Sequence, residues 1–297
     1  MNDPIAVFME MAAEPGLFLE HVDFTARQTG FRRELVEKDF FCSVVLLRLS
    51  RSLPPTVVFK GGTCLSKVYA GFYRLSEDLD YSIPLAVDAS RAERRKHASS
   101  LTRAVEQLTD GLPSVHVISA LRGANESSQY IGTWGYRSVV SGAIERVKVE
   151  FSLREPGLLR PEDRDAGTLL QNALTATGLV APFKVRAMAL SEMWAEKTRA
   201  ALTRAEPAIR DYFDLDYARG NTSLDLGNNG FVDLVRKKLS VPGTGHINLS
   251  PERHANLKKQ VEGQLRPVLR PSDFDRFDLE RILAELVKLA KRLAEFS

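Results

Sequence analysis

Apolar and polar positions alternate most clearly around residues 57 to 81. An apolar β-branched run, Val57-Val58-Phe59, meets the double glycine Gly61-Gly62, and a segment of helical character then returns to Asp78-Leu79-Asp80-Tyr81. This predicts a strand, a tight turn, a short helix and a second strand. Upstream, residues 4 to 29 read as one or two amphipathic helices, interrupted at Pro15-Gly16 and stopped by Gly30. Glu34 to Leu49 carries Leu35, Val36, Phe40, Phe41, Val44, Val45, Leu47 and Leu49, which predicts a mostly buried helix ended by Leu53-Pro54-Pro55. Composition puts Glu37-Lys38-Asp39 on its solvated face.

Downstream, Ser90 and Glu93 form a capping box that opens a helix towards Asp110. Val115 to Ile118 reads as a strand, and Gln129 to Tyr136 as a strand or an aromatic loop. Ile144 to Leu153 alternates, with Val147, Val149 and Phe151 on one face and Lys148, Glu150 and Ser152 on the other. Residues 154 to 183 are rich in Pro and Gly, so a boundary is expected there between a core at 1–180 and a helical region at 181–297. In that second region Leu190, Met193, Trp194, Lys197, Ala201 and Arg204 recur at steps of three and four, which puts Lys197 on a protein-facing stripe. Its partner is either a structural carboxylate or a nucleotide phosphate. Asp211 and Asp214 share a face of the next helix, and a helical hairpin would bring Asp211 within reach of Lys197; Asp214 and Asp216 read as structural or solvated.

Composition narrows the class. With 297 residues, 44% hydrophobic and 27% charged, the chain has the make-up of a soluble globular protein. No apolar run approaches the ~20 residues of a membrane helix and the start lacks signal-peptide order, so no membrane contact and a cytoplasmic location are expected. Cys42 and Cys64 lie in apolar segments and read as small buried hydrophobes; the five histidines have no zinc spacing. A net charge of only +3 means that any nucleic-acid surface is local. The basic residues Lys237, Lys238, Lys258, Lys259, Arg266 and Arg270 are solvated helix faces or line a groove for an RNA backbone.

The candidate chemistry lies in the central stretch. Alternate residues of a strand share a face, so Asp78 and Asp80 project together. Two adjacent carboxylates repel, and a hard divalent cation such as Mg²⁺ or Mn²⁺ relieves that repulsion while keeping places for phosphate oxygens. Gly61-Gly62 lets backbone approach a ligand, and the helix start that follows offers N–H groups to phosphates. Taken alone, the pair could equally be two solvated aspartates on an edge strand. Glu150 could likewise be a polar residue on an open sheet face.

Phe59-Lys60-Gly61-Gly62-Thr63 with Leu65-Ser66-Lys67, followed by Arg74-Leu75-Ser76-Glu77-Asp78-Leu79-Asp80, resembles the AbiEii/AbiGii toxins, the MenT-like nucleotidyltransferases. Val36-Glu37-Lys38-Asp39-Phe40, Glu196-Lys197 and Arg210-Asp211 with Asp214-Leu215 extend the resemblance over roughly residues 35 to 218. It implies an α/β (α+β) fold with a nucleotidyltransferase-like mixed sheet flanked by helices and a helical C-terminal region. It also implies transfer of an NMP from an NTP to RNA, at the 3′ end of tRNA, by the toxin arm of a type IV toxin–antitoxin or phage-defence pair with a cognate antitoxin. Asp78 and Asp80 would hold the metal, with Glu150 as third acid or base. Lys60, Gly61, Gly62, Thr63, Lys67 and Arg74 would bind the nucleotide, and Lys197 and Asp211 would serve activity. Ser76 matches a serine or threonine position where phosphorylation would act as an off-switch. Two alternatives share the core: transfer to a small-molecule or protein hydroxyl, and a non-catalytic nucleotide- or antitoxin-binding module.

Overall fold

Helices α1 (Pro4–Ala13), α2 (Pro15–Thr29) and α3 (Arg33–Ser52) lead into β1 (Val58–Lys60). The computed structural model describes residues 4–295 except 111, 113 and 223. After β1 the chain winds into a helical turn, α4 (Gly61–Cys64), which continues through a π-wound turn to Tyr69 before β2 (Asp78–Ser82). Helix α5 (Arg91–Glu106) opens with the expected reciprocal Ser90–Glu93 capping box. It is followed by β3 (Val115–Ala124), β4 (Gln129–Arg137), β5 (Ile144–Ser152), β6 (Glu162–Ala166) and β7 (Phe183–Ala187). These strands make one seven-stranded mixed sheet in the order β3-β4-β5-β2-β1-β7-β6, so the fold is α/β.

Register follows from the apolar pattern. β2 lies antiparallel to β1, with Lys60 opposite Asp80, and parallel to β5, with Leu79 opposite Val149 and Tyr81 opposite Phe151. All four apolar partners are buried, and Tyr81 stacks on Phe151 at 5.1 Å between ring centroids. Each such side chain contributes about 1.5–3 kcal/mol on burial, and a slip of one residue would expose the whole set. Helix α3 covers this apolar face, with Phe41 stacked on Tyr136 of β4 at 3.7 Å. The polar residues of β2 and β5 are thereby left on the opposite face.

Glu37, Lys38 and Asp39 do not form a solvated face: each is buried. Glu37 accepts from Ser138 Oγ and Val139 N at 2.5 and 2.6 Å, and burial, against those donors, pushes its carboxyl above the usual range. Lys38 approaches Glu145 at 3.6 Å, and Asp39 pairs with Lys67. Cys42 and Cys64 are free and buried, and burial pushes the Cys42 thiol up to about 12.

The chain divides into two compact units, one running to Met188 and one beginning at Ala189. Residues 183–187, which a boundary at 180 would assign to the helical region, are β7 of the first unit's sheet, hydrogen-bonded beside β1. β6 is charged at four of its five positions and reads as loop in the sequence. As the sheet's outer strand it directs that charge to solvent and cross-strand partners, Asp165–Lys184 at 2.9 Å and Asp163–Arg186 at 3.3 Å.

The second unit is helical: α6 (Leu190–Thr203), α7 (Ile209–Asn221), α8 (Asn229–Leu239), α9 (Pro251–Gln260), α10 (Pro271–Arg276) and α11 (Leu279–Ala294). Several of its basic residues are committed internally. Lys238 is buried against Glu192 at 2.9 Å, Lys258 meets Glu280 at 2.9 Å, Arg266 meets Glu262, and Arg270 meets Asp273. Among the described residues no helix is long and apolar enough to cross a membrane.

Candidate active site

The parallel register of β2 and β5 assembles the site. Asp80 lies opposite Glu150 and Asp78 opposite Lys148, so three carboxylates and one ammonium share the sheet face turned away from α3. Lys148 Nζ is 3.6 Å from Asp78 Oδ2 and 3.4 Å from Glu150 Oε2. Gln129 of β4 donates to Glu150 Oε1 and accepts from Arg154 at 3.0 Å, which fixes the Glu150 carboxylate. Lys60 enters from β1 opposite Asp80. Burial, then the charges of Glu150 and Asp78, push Asp80 up to about 6 against the pull of Lys60 and Lys148. That is the behaviour expected of a carboxylate crowded by like charge.

The glycine turn is built around these acids. Gly61 has φ +81°, and a Cβ there would overlap the Asp80 carboxylate and stand 2.9 Å from its Cβ. Thr63 Oγ1 donates to the Asp78 carbonyl at 2.5 Å, tying the helical turn to β2. A Cβ on Gly62 would meet the Arg74 guanidinium at 2.5 Å and Ser76 Oγ at 3.0 Å. Gly61→Ala is therefore expected to cost about 1–2 kcal/mol for left-handed backbone and to lower transfer by roughly 10²-fold through displacement of Asp80. Thermal melts and initial rates check the two effects separately.

Arg74, expected at the nucleotide, is 2% exposed, donates to the Leu75 carbonyl at 3.2 Å and packs against Gly62 of the turn. Lys67, also expected at the nucleotide, has protein partners in this structure. Its ammonium is enclosed by Asp39 Oδ1 at 2.5 Å, Ser43 Oγ at 2.6 Å and the Asp39 carbonyl at 3.1 Å, so it anchors the helical turn to α3. Ser76 is half-buried beside Gly62. Lys60, Gly61 and Thr63 border the acids, and Gly62 lies against Arg74 and Ser76.

In the helical unit, Lys197 and Asp211 do pair, at 2.6 Å, but a second acid joins them: Asp214, fully buried, lies 2.9 Å from Lys197. Arg204 closes the cluster on Asp211 at 3.0 Å. Two cations and two carboxylates thus balance at the α6–α7 hairpin, and of the two kinds of partner open to Lys197 the structure shows carboxylates. Asp216 is structural, bonded to Arg281 at 2.8 and 2.5 Å.

Among the described residues no three His, Cys, Asp or Glu side chains are arranged to hold a metal ion. The donor set offered is two carboxylates, Asp78 and Asp80. It suits Mg²⁺, which is commonly held by one or two carboxylates and completes its shell with water and substrate phosphate. Glu150 accepts from Gln129 and pairs with Lys148 at 3.4 Å. Lys148 is a site residue that the sequence alone does not single out, although the alternation of β5 puts it on the face of Glu150.

The family described as nucleotidyl transferase AbiEii toxin, type IV toxin–antitoxin system, matches residues 45–285. The chain belongs to the AbiEii family. Two solved structures share its fold. JHP933 from Helicobacter pylori is 15% identical with a TM-score of 0.52, over 89% of this chain and 95% of that one. A second H. pylori structure, of a candidate nucleotidyltransferase, has the same identity and TM-score over 90% and 99%. No curated protein sequence matches the chain. AbiEii membership makes the chain a nucleotidyltransferase-type toxin and implies an antitoxin partner.

Proposed function

We propose that this AbiEii chain moves a nucleoside monophosphate from an NTP to an RNA hydroxyl, the 3′ end of a tRNA, and releases pyrophosphate. The observation that carries the reading is the register that sets Asp78, Asp80 and Glu150 on one sheet face against the Gly61 turn. Asp78 and Asp80 are the residues to hold Mg²⁺ or Mn²⁺, which when bound neutralises charge developing at the α-phosphate. Gly61, Gly62 and Thr63 give the triphosphate a close backbone approach at a helix start, and Lys60 adds positive charge beside it. Glu150, oriented by Gln129, takes the proton of the attacking hydroxyl. The new bond joins the acceptor oxygen to the α-phosphorus, and the bond to the bridging oxygen of pyrophosphate breaks.

Lys197 and Asp211 serve activity by holding the α6–α7 hairpin. A phosphate on Ser76 would set negative charge beside Gly62 and oppose nucleotide entry, giving an off-switch. The test is incubation with each α-labelled NTP, Mg²⁺ and total tRNA. Label is expected in tRNA with wild type and not with Asp78→Ala. Undiminished label with the variant would move the centre elsewhere, and label on added small alcohols but not on RNA would replace the acceptor.

A further inference from the structure

The geometry points to Lys148 as a positioning residue that makes cation binding depend on nucleotide: its ammonium occupies the charge gap between Asp78 and Glu150 until a triphosphate draws it away. This rests on the reading of Asp78 and Asp80 as the cation's ligands.

Lys148 stands in the row of acids by register alone. Asp78 is its neighbour across the ladder, Glu150 is two residues along its own strand, and Thr133 of β4 lies on its other side. Its ammonium is 3.6 Å from Asp78 and 3.4 Å from Glu150, longer than the ~2.7–2.9 Å of a tight charged hydrogen bond. The side chain is 39% exposed, against 1% for the enclosed Lys67. A lysine is a point charge on a flexible four-carbon stem, so a cation held loosely by two acids can swing.

Three carboxylates and this ammonium give the face a formal charge of −2 before Lys60 is counted. An ammonium a few ångströms from a dication repels it, and it sits on the Asp78 carboxylate that the dication needs. An incoming triphosphate reverses the balance, because it offers Lys148 a denser anion and the dication additional oxygen ligands. Cation and nucleotide then bind each other's form of the site more tightly, and the coupling is reciprocal.

Mn²⁺ binding to the full chain, by calorimetry, tests this with and without an α,β-methylene NTP analogue. Without nucleotide, Lys148→Met is expected to bind Mn²⁺ about tenfold more tightly than wild type, the size of effect one unit charge exerts nearby even in high-dielectric surroundings. With the analogue present the two should converge, and Lys148→Arg should behave as wild type. In turnover, Lys148→Met should raise the KM for NTP more than it lowers kcat. Equal Mn²⁺ affinity of wild type and Lys148→Met in the absence of nucleotide would overturn the proposal, provided wild type binds Mn²⁺ with the analogue and Asp80→Asn does not. Absence of Mn²⁺ binding by wild type with the analogue would remove the metal reading, and this proposal with it.

Discussion

Asp80→Asn is expected to lower nucleotide transfer by roughly 10³-fold or more while raising the melting temperature at neutral pH. Both effects have one source. Asp80 lies against Gly61 with Glu150 and Asp78 beside it, and burial and like charge lift its pKa to about 6. A carboxyl whose pKa is higher folded than unfolded favours the proton in the folded state. Its ionised form therefore costs stability above pH 6, and the cost fades between about 6 and the ordinary 3.8. The melting-temperature gain of Asp80→Asn should be full at pH 7 to 8 and vanish below about pH 4, which a pH series of thermal melts reads directly. In the proposed mechanism the charge that destabilises the fold is the one a divalent cation would relieve, so stability and function would pull in opposite directions here. Protons and the proposed metal would also compete for this carboxylate. The Mg²⁺ concentration for half-maximal transfer should rise as pH falls through about 6 in wild type. A flat requirement from pH 8 to 5 would take Asp80 out of the metal's ligand shell.

The acid pair and its glycine turn were legible because short-range rules fix both. Period-2 alternation decides which side chains share a face, and apolar Leu79, Tyr81, Val149 and Phe151 leave one register that buries them all. Glu150 reaches Asp80 as a consequence of that register; the alternation of its strand put it on the polar face, and only the resemblance to the family made it a third acid. Lys148 was equally visible in the alternation, but a lysine beside a carboxylate reads as a solvated pair until the strand is known to lie next to Asp78. The buried charges were not legible. Composition treats a charge as solvated unless its partner is in view, and the partners here are remote: Asp39 accepts from Thr168 Oγ1 and Leu169 N, and Glu37 from Ser138. Lys197 shows the intermediate case. Its helical stripe announced a partner, and the i, i+3 spacing of Asp211 and Asp214 supplied two where one was expected.

Lys67→Met tests that kind of buried charge and should cost about 3–5 kcal/mol of stability, the usual penalty for removing one member of a buried pair. Lys67 joins the helical turn after Gly61 to α3. Its ammonium meets Asp39 Oδ1, the Asp39 carbonyl and Ser43 Oγ, while Asp39 Oδ2 takes Thr168 Oγ1 and Leu169 N at 2.8 Å each. Methionine fills the space of the stem but leaves a carboxylate that is 3% exposed without its cation. Two backbone segments, the helical turn after Gly61 and the loop at 168–169, meet at that carboxylate, so both should loosen together. Urea melts of Lys67→Met, Asp39→Asn and the double variant form a cycle. A double variant less destabilised than the sum of the singles, by at least about 1 kcal/mol, is the coupling expected for groups in contact. Additive losses would mean that Lys67 and Asp39 act independently. A Lys67→Met protein with native stability but no transfer would instead return Lys67 to the nucleotide phosphates.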